Sequence, residues 1–175
     1  NFIDLLNELS SEVYGMDIRE KIDPFYLKLH PQIMKLPFRL RKYWDKFFLT
    51  KMNTLLMDII QKQKPDLVFV YNSEFLLPET CVEIKKGATL IFFMGDSPFY
   101  TPQNNYYLAC LPYADLILSP DSLWSQQLNT IGLSRTMYFL PGPDSSSYFR
   151  IENPARVEGD IETDILYVGS SYLNS

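Results

Sequence analysis

Four apolar runs punctuate the middle of the chain: Leu67-Val68-Phe69-Val70-Tyr71, Thr89-Leu90-Ile91-Phe92-Phe93-Met94, Asp115-Leu116-Ile117-Leu118 and Thr136-Met137-Tyr138-Phe139-Leu140. Each run is continuous rather than alternating, which is the pattern of a strand buried on both faces. Helical patterns fill the gaps. Pro78-Glu79 opens one that runs through Cys81, Val82 and Ile84 to Lys85-Lys86, with Gly87 as its stop. A second is expected over Pro102 to Leu111. A third is capped by Asp121, or by Ser119 with Pro120, passes through Leu123, Trp124, Leu128 and Ile131, and ends at Gly132. Strands alternating with helices predict an α/β fold: a Rossmann-like open parallel sheet with helices on both faces.

The flanks read differently. Phe2, Ile3, Leu5, Leu6 and Leu9 have helical spacing, and Val13 to Ile18 reads as a short strand. Pro24, Pro31 and Pro37 divide the next stretch into irregular or short helical pieces. Phe38 to Lys64 is helical, in one piece or as two helices joined near Leu49-Thr50. Residues 150–163 are polar and linker-like, with Glu152, Pro154, Glu158, Gly159, Asp160 and Glu162. Asp164 to Val168 is then a fifth strand, running into Gly169-Ser170-Ser171. The expected organisation is a Rossmann-like domain over 1–149, a linker over 150–163, and the first strand and loop of a second domain over 164–175. The chain opens on Asn1 rather than Met, and is expected to be a piece of a longer protein.

Composition narrows the classes. With 175 residues and 46% hydrophobic content the chain can fill a core, so wholesale disorder is excluded. No apolar run approaches the length of a membrane span. The net charge of −5 argues against a dedicated nucleic-acid binder. Two cysteines, Cys81 and Cys110, make neither a disulfide scaffold nor a metal cluster, and both read as reduced core residues. The single histidine, His30, excludes an HExxH zinc site, and no metal ligand set is expected. No Walker A loop, GxSxG elbow or GxGxxG is present. With no Asn-x-Ser/Thr sequon, the sequence leans toward the cytoplasm, or toward a position peripheral to a membrane.

The charge is unevenly spread: −4 over residues 1–18, +7 over 19–64 and −8 over 65–175. The basic block is densest over Lys35, Arg39, Arg41, Lys42, Lys46 and Lys51, interleaved with Phe38, Tyr43, Trp44, Phe47 and Phe48. Two readings are open. One is a surface over residues 35–51 for an anionic membrane or acceptor. The other is an ordinary amphipathic helix, with Leu40, Trp44, Phe47, Phe48, Leu55, Ile59 and Ile60 facing a core and the basic stems snorkelling to water.

In an open parallel sheet, ligands bind beyond the carboxyl ends of the strands. That rule selects Tyr71-Asn72-Ser73-Glu74, Gly95-Asp96-Ser97-Pro98-Phe99, Ser119-Pro120-Asp121, Pro141-Gly142-Pro143-Asp144-Ser145 and Gly169-Ser170-Ser171. The second is densest in chemistry. Gly95 permits close backbone approach, and Asp96 can act as a base or bind sugar hydroxyls. Against that, Asp96 can simply cap the next turn, and Glu74 can be a solvated loop carboxylate. Gly169-Ser170-Ser171 can present N–H groups to a phosphate.

The ordered set of these stretches resembles the GT-B glycosyltransferases, and among them the CgeB-like (spore maturation protein) group. The residues that carry the resemblance are Lys64-Pro65-Asp66 before the first strand, Pro78-Glu79-Thr80, Gly95-Asp96-Ser97-Pro98, Ala114 to Ser119, and Leu140-Pro141-Gly142-Pro143-Asp144 with Tyr148-Phe149. The resemblance implies two Rossmann-like domains facing a cleft, with this chain mostly the N-terminal, acceptor-side half. It implies that Asp96 is the catalytic candidate and that Asn72, Ser73, Glu74, Gly95, Ser97 and Pro98 hold the acceptor. Gly142, Asp144, Gly169, Ser170 and Ser171 would meet a nucleotide-sugar donor, with no cofactor and no required metal. The resemblance leaves the acceptor open among a sugar, a protein and a lipid-linked molecule. The first strand of that domain and the donor-binding carboxylates are missing from the pattern, so the fragment alone is expected to be inactive. A non-catalytic α/β binding module and a nucleotide-sugar epimerase are the competing readings.

Overall fold

The second apolar run has to be kept dry on both sides, and the structure is arranged around it. The computed structural model describes residues 2–72, 75–99, 105–140 and 142, within a compact unit spanning Asn1–Gly142. The strands are β1 (Leu67–Tyr71), β2 (Thr89–Phe93), β3 (Leu116–Ser119) and β4 (Thr136–Tyr138). They form one all-parallel sheet in the order β1-β2-β3-β4. The helices are α1 (Phe2–Leu9), α2 (Pro24–Ile33), α3 (Phe38–Gln63), α4 (Pro78–Ile84), α5 (Asn105–Cys110) and α6 (Ser122–Thr130). The molecule is therefore α/β, with a Rossmann-like open parallel sheet.

Register sets which side chains share a face. Val68 pairs with Leu90, Val70 with Phe92, and Phe92 with Ile117. These residues point into the main core, with Cys81 and Ile84 of α4, Tyr107 and Cys110 of α5, and Leu128 of α6. Every crossover steps in the same direction, and right-handed crossovers then bring α4, α5 and α6 to the same face. The opposite face is equally apolar. Phe93 is buried there, stacked on Tyr71 and Phe69 with ring centroids 5.4 and 6.5 Å away, and Phe139 meets it edge-on.

The amino-terminal edge of the sheet is held by charge. The Asp115 carboxylate accepts the Leu90 N–H at 2.9 Å and Lys85 Nζ at 2.8 Å, with Arg135 3.5 Å away. The Leu90 N–H, then Lys85, hold its carboxyl below the usual carboxylate range.

Three sequence expectations change, and one that was open is settled. Val13 to Ile18 is not a strand: residues 13–17 have no regular structure, and Ile18–Lys21 is a 3₁₀ turn. The sheet's described strands pair only with one another, which leaves an isolated apolar run without a ladder partner. The stretch from Phe38 is one helix of 26 residues, about 39 Å long. Its apolar face shifts because it spans two cores. Trp44, Phe48, Met52 and Leu55 pack with Tyr26 and Leu27 of α2 and with Phe75, whereas Leu56, Met57 and Ile60 pack against the main core. The shift reads in sequence like a join, but no proline or glycine interrupts the helix. Leu40 and Phe47 are not core residues; both are exposed. Pro31 also does not break α2, lying in its last turn, where Pro24 and the Asp23 side chain begin it.

His30 joins α2 to α3. The Trp44 indole N–H donates to His30 Nδ1 at 3.1 Å, and the imidazole stacks on Phe48 with centroids 4.2 Å apart. Burial lowers the His30 pKa below the ordinary value, and Asp45 partly opposes it. The neutral ring is therefore the form that fits. Its contribution is complete above the unfolded-state pKa near 6.5 and is lost as pH falls through the lower folded-state value. Wild type should accordingly lose more stability between pH 7.5 and pH 5 than His30→Gln does. Urea melts followed by tryptophan fluorescence measure this difference.

Candidate functional site

The carboxyl ends of β1 and β2 are tied together by one side chain. Asn72 follows β1 with φ 44°, in the left-handed region that asparagine enters more readily than most residues. Its N–H donates to Phe93 O at 3.2 Å, which extends the ladder by one step. Its side-chain Oδ1 accepts the Gly95 N–H at 2.6 Å. Its Nδ2 donates to Asp96 Oδ2 at 2.9 Å. The amide thus uses both ends, one on the backbone of the facing loop and one on that loop's carboxylate.

Gly95 leaves room for this close contact. A Cβ there would lie 2.8 Å from Asn72 Nδ2 and 2.9 Å from the Tyr71 hydroxyl. The glycine gives the asparagine amide room to reach the loop, and the tyrosine ring closes over the same spot.

Among the described residues Asp96 caps no N–H of the following turn. Ser97 caps it: its Oγ accepts the Phe99 N–H at 3.3 Å. Ser97 and Pro98 are buried and anchor the loop, while Asp96 is exposed. The result is a carboxylate whose Oδ2 is held by a neutral donor at the end of the sheet. Such a group can accept a proton or a hydroxyl hydrogen bond from a ligand.

Tyr107 stands behind it. Its ring meets Phe92 edge-on at 6.3 Å, and its hydroxyl is buried with no hydrogen-bond partner among the described residues. Burial raises its pKa, and the negative Asp96 and the Cys110 thiol add to the rise, so the phenol keeps its proton. The sequence offered no signal for Tyr107, which is one aromatic residue in a helical stretch. Tyr71 was within reach as the last residue of its strand.

The remaining candidates separate. Ser119-Pro120-Asp121 is a closed turn: Ser119 Oγ donates to Asp121 O at 2.9 Å and accepts the Asp121 N–H at 3.3 Å. The Asp121 carboxylate caps α6 through the N–H groups of Leu123 and Trp124. Gly142 is exposed, with open space where a Cβ would sit. Ser73, Glu74, Asp144, Gly169, Ser170 and Ser171 lie outside the described residues, as do the linker and the fifth strand. Among the described residues no group of three or more His, Cys, Asp or Glu side chains could hold a metal ion. No described helix is long and apolar enough to cross a membrane. Comparison with protein-family models, curated proteins and solved structures returns no match for this chain.

The clasp has a measurable energetic signature. Asn72→Gly removes the two side-chain hydrogen bonds and keeps the backbone at ease, so it should cost about 1–2 kcal/mol. Asn72→Ala should cost roughly 1 kcal/mol more, because alanine pays for the left-handed backbone. Gly95→Ala should cost about 1–3 kcal/mol by forcing the amide out. Urea unfolding of the three variants ranks them.

Proposed function

We propose that the chain is the acceptor-side half of a nucleotide-sugar-dependent glycosyltransferase of GT-B architecture. The observation that carries this reading is the Asp96 carboxylate, aimed by Asn72 from the adjacent strand end. The ordered motifs that resemble the GT-B enzymes support it. So does the general placement of ligands beyond the carboxyl ends of parallel strands.

In this reading Asp96 receives the acceptor hydroxyl. The carboxylate takes the hydroxyl proton as the oxygen bonds to the anomeric carbon of the donor, and the bond from that carbon to the nucleotide diphosphate breaks. Asn72 is a positioning residue, holding one carboxylate oxygen so that the other faces the acceptor. Tyr107 supplies a protonated phenol close enough to feel the Asp96 charge. The donor side would come from Gly142, Asp144 and Gly169-Ser170-Ser171, and the setting for such a donor would be cytoplasmic.

The runner-up, a non-catalytic α/β binding module, would use the same clasp without turnover. Two measurements separate them. Titration of the isotope-labelled chain with methyl hexosides should shift the amide signals of Asn72, Gly95 and Asp96. Asp96→Ala should weaken that binding about tenfold, the worth of one hydrogen bond to a charged group. Signals that move elsewhere, or an affinity unchanged in Asp96→Ala, remove this site from the reading. Release of nucleotide from UDP-glucose or GDP-mannose, by protein expressed from the whole reading frame and abolished in Asp96→Ala, favours the transferase. Hexoside binding without release favours the module.

A further inference from the structure

The long helix α3 has a second apolar stripe, open to solvent beside the α2 cluster, where the Phe47 ring lies 5.9 Å from Tyr26 and 5.8 Å from Trp44. Leu40, Tyr43 and Phe47 are 65%, 73% and 47% exposed. Their spacing of three and four residues puts them on one side of the helix, over about two turns. Leu36, just ahead of the helix, is also exposed. The stripe continues into a shallow open groove of about 680 Å³, in which Tyr43 and Phe47 lie beside Lys46, Thr50 and Lys51.

Helical geometry puts the cations on the borders of that stripe. At 100° per residue, Arg39 and Lys46 flank it on one side, Lys42 lies further round on that side, and Lys51 flanks it on the other. All four are exposed. Lys42 Nζ sits 4.9 Å from the centre of the Tyr43 ring, and Lys51 Nζ sits 4.0 Å from that of Tyr26. Residues 35–51 hold six bases and one acid. That acid, Asp45, lies 3.9 Å from Arg41 on the same helix. Among the described residues no ion pair engages Arg39, Lys42 or Lys46. Asp58 marks the far end of the groove and of the basic face.

We infer that this face of α3 docks the protein on an anionic lipid membrane, independently of any sugar chemistry at the strand ends. Two features favour lipid over an acidic protein. The apolar residues are an aliphatic, a phenol and a phenyl ring in a single row, which is how an interfacial helix seats itself at the boundary of headgroups and acyl chains. The cations line that row with flexible stems, so the charges can reach headgroup phosphates while the row enters the boundary. The acidic remainder of the chain, −8 over residues 65–175, would be repelled by the same surface.

The test is co-sedimentation of the full 175-residue chain with vesicles. One set is an equal mixture of phosphatidylglycerol and phosphatidylcholine, and the other is phosphatidylcholine alone. The chain should partition onto the first and not the second, and high salt should weaken the binding. Each base near an anionic surface is worth about fivefold, so R39E/K42E/K46E should weaken partitioning at least a hundredfold. L40S/Y43S/F47S should also weaken it, at least tenfold, with charge untouched. All six positions are exposed, and far-ultraviolet circular dichroism checks that both variants fold. Equal binding to the two vesicle types, no binding to either, or full binding by L40S/Y43S/F47S overturns the inference. Capture by soluble poly-L-glutamate without binding to anionic vesicles also overturns it, and assigns the face to an acidic polypeptide instead.

Discussion

The centre of β2 is dry on both sides, and most of the structure follows from that. Leu90 and Phe92 face the crossover helices, and Phe93 faces the opposite way, with all three buried. A strand in that position has to satisfy its backbone on both edges, because water cannot reach it. The pairings to β1 and β3 do so, and they fix the register on both sides at once. Register then decides the carboxyl end of the sheet. Tyr71 lies opposite Phe93, so the next residue of each strand leaves the sheet at the same height. Asn72 and the Gly95-Asp96 turn meet for that reason.

The helices show how far local pattern carries and where it stops. The boundaries of α4 and α6 were readable, because the proline, the capping aspartate and the terminal glycines act through bonds within a few residues. The unity of α3 was not. One continuous helix serves two cores, and the direction of its apolar face changes where it passes from the α2 cluster to the sheet cluster. A pattern built from one helix face takes that change for a break. The exposure of Leu40 and Phe47 has the same origin. Hydrophobicity shows that a residue would gain from burial, and only the arrangement of neighbours shows whether anything covers it.

The site follows the same division. Gly95-Asp96 stood out in sequence as a strand-end glycine beside a carboxylate, and it forms the exposed part of the clasp. Its partner Asn72 was present as a loop residue, but its left-handed backbone and its bonds across 23 and 24 residues are products of the pairing of β1 with β2. Ser97 and Pro98 turned out to be buried supports. Tyr107 had no sequence signal, because an unpartnered phenol becomes notable only once the core has closed around it.

The sequence by itself determined the class of the fold, the four strands and the strand ends where chemistry would gather. These depend on contiguous residues: runs of apolar side chains, prolines that cannot donate, glycines that end helices. It also determined the charge asymmetry, which is additive and needs no geometry. The tertiary structure decided that Val13 to Ile18 has no partner strand among the described residues and that α3 is a single rod with an exposed aromatic stripe. It also decided that Asp96 is held by an asparagine from another strand instead of capping its own turn. Each of these depends on which distant groups are brought within a few ångströms, and that is settled by packing and register, which local pattern does not encode.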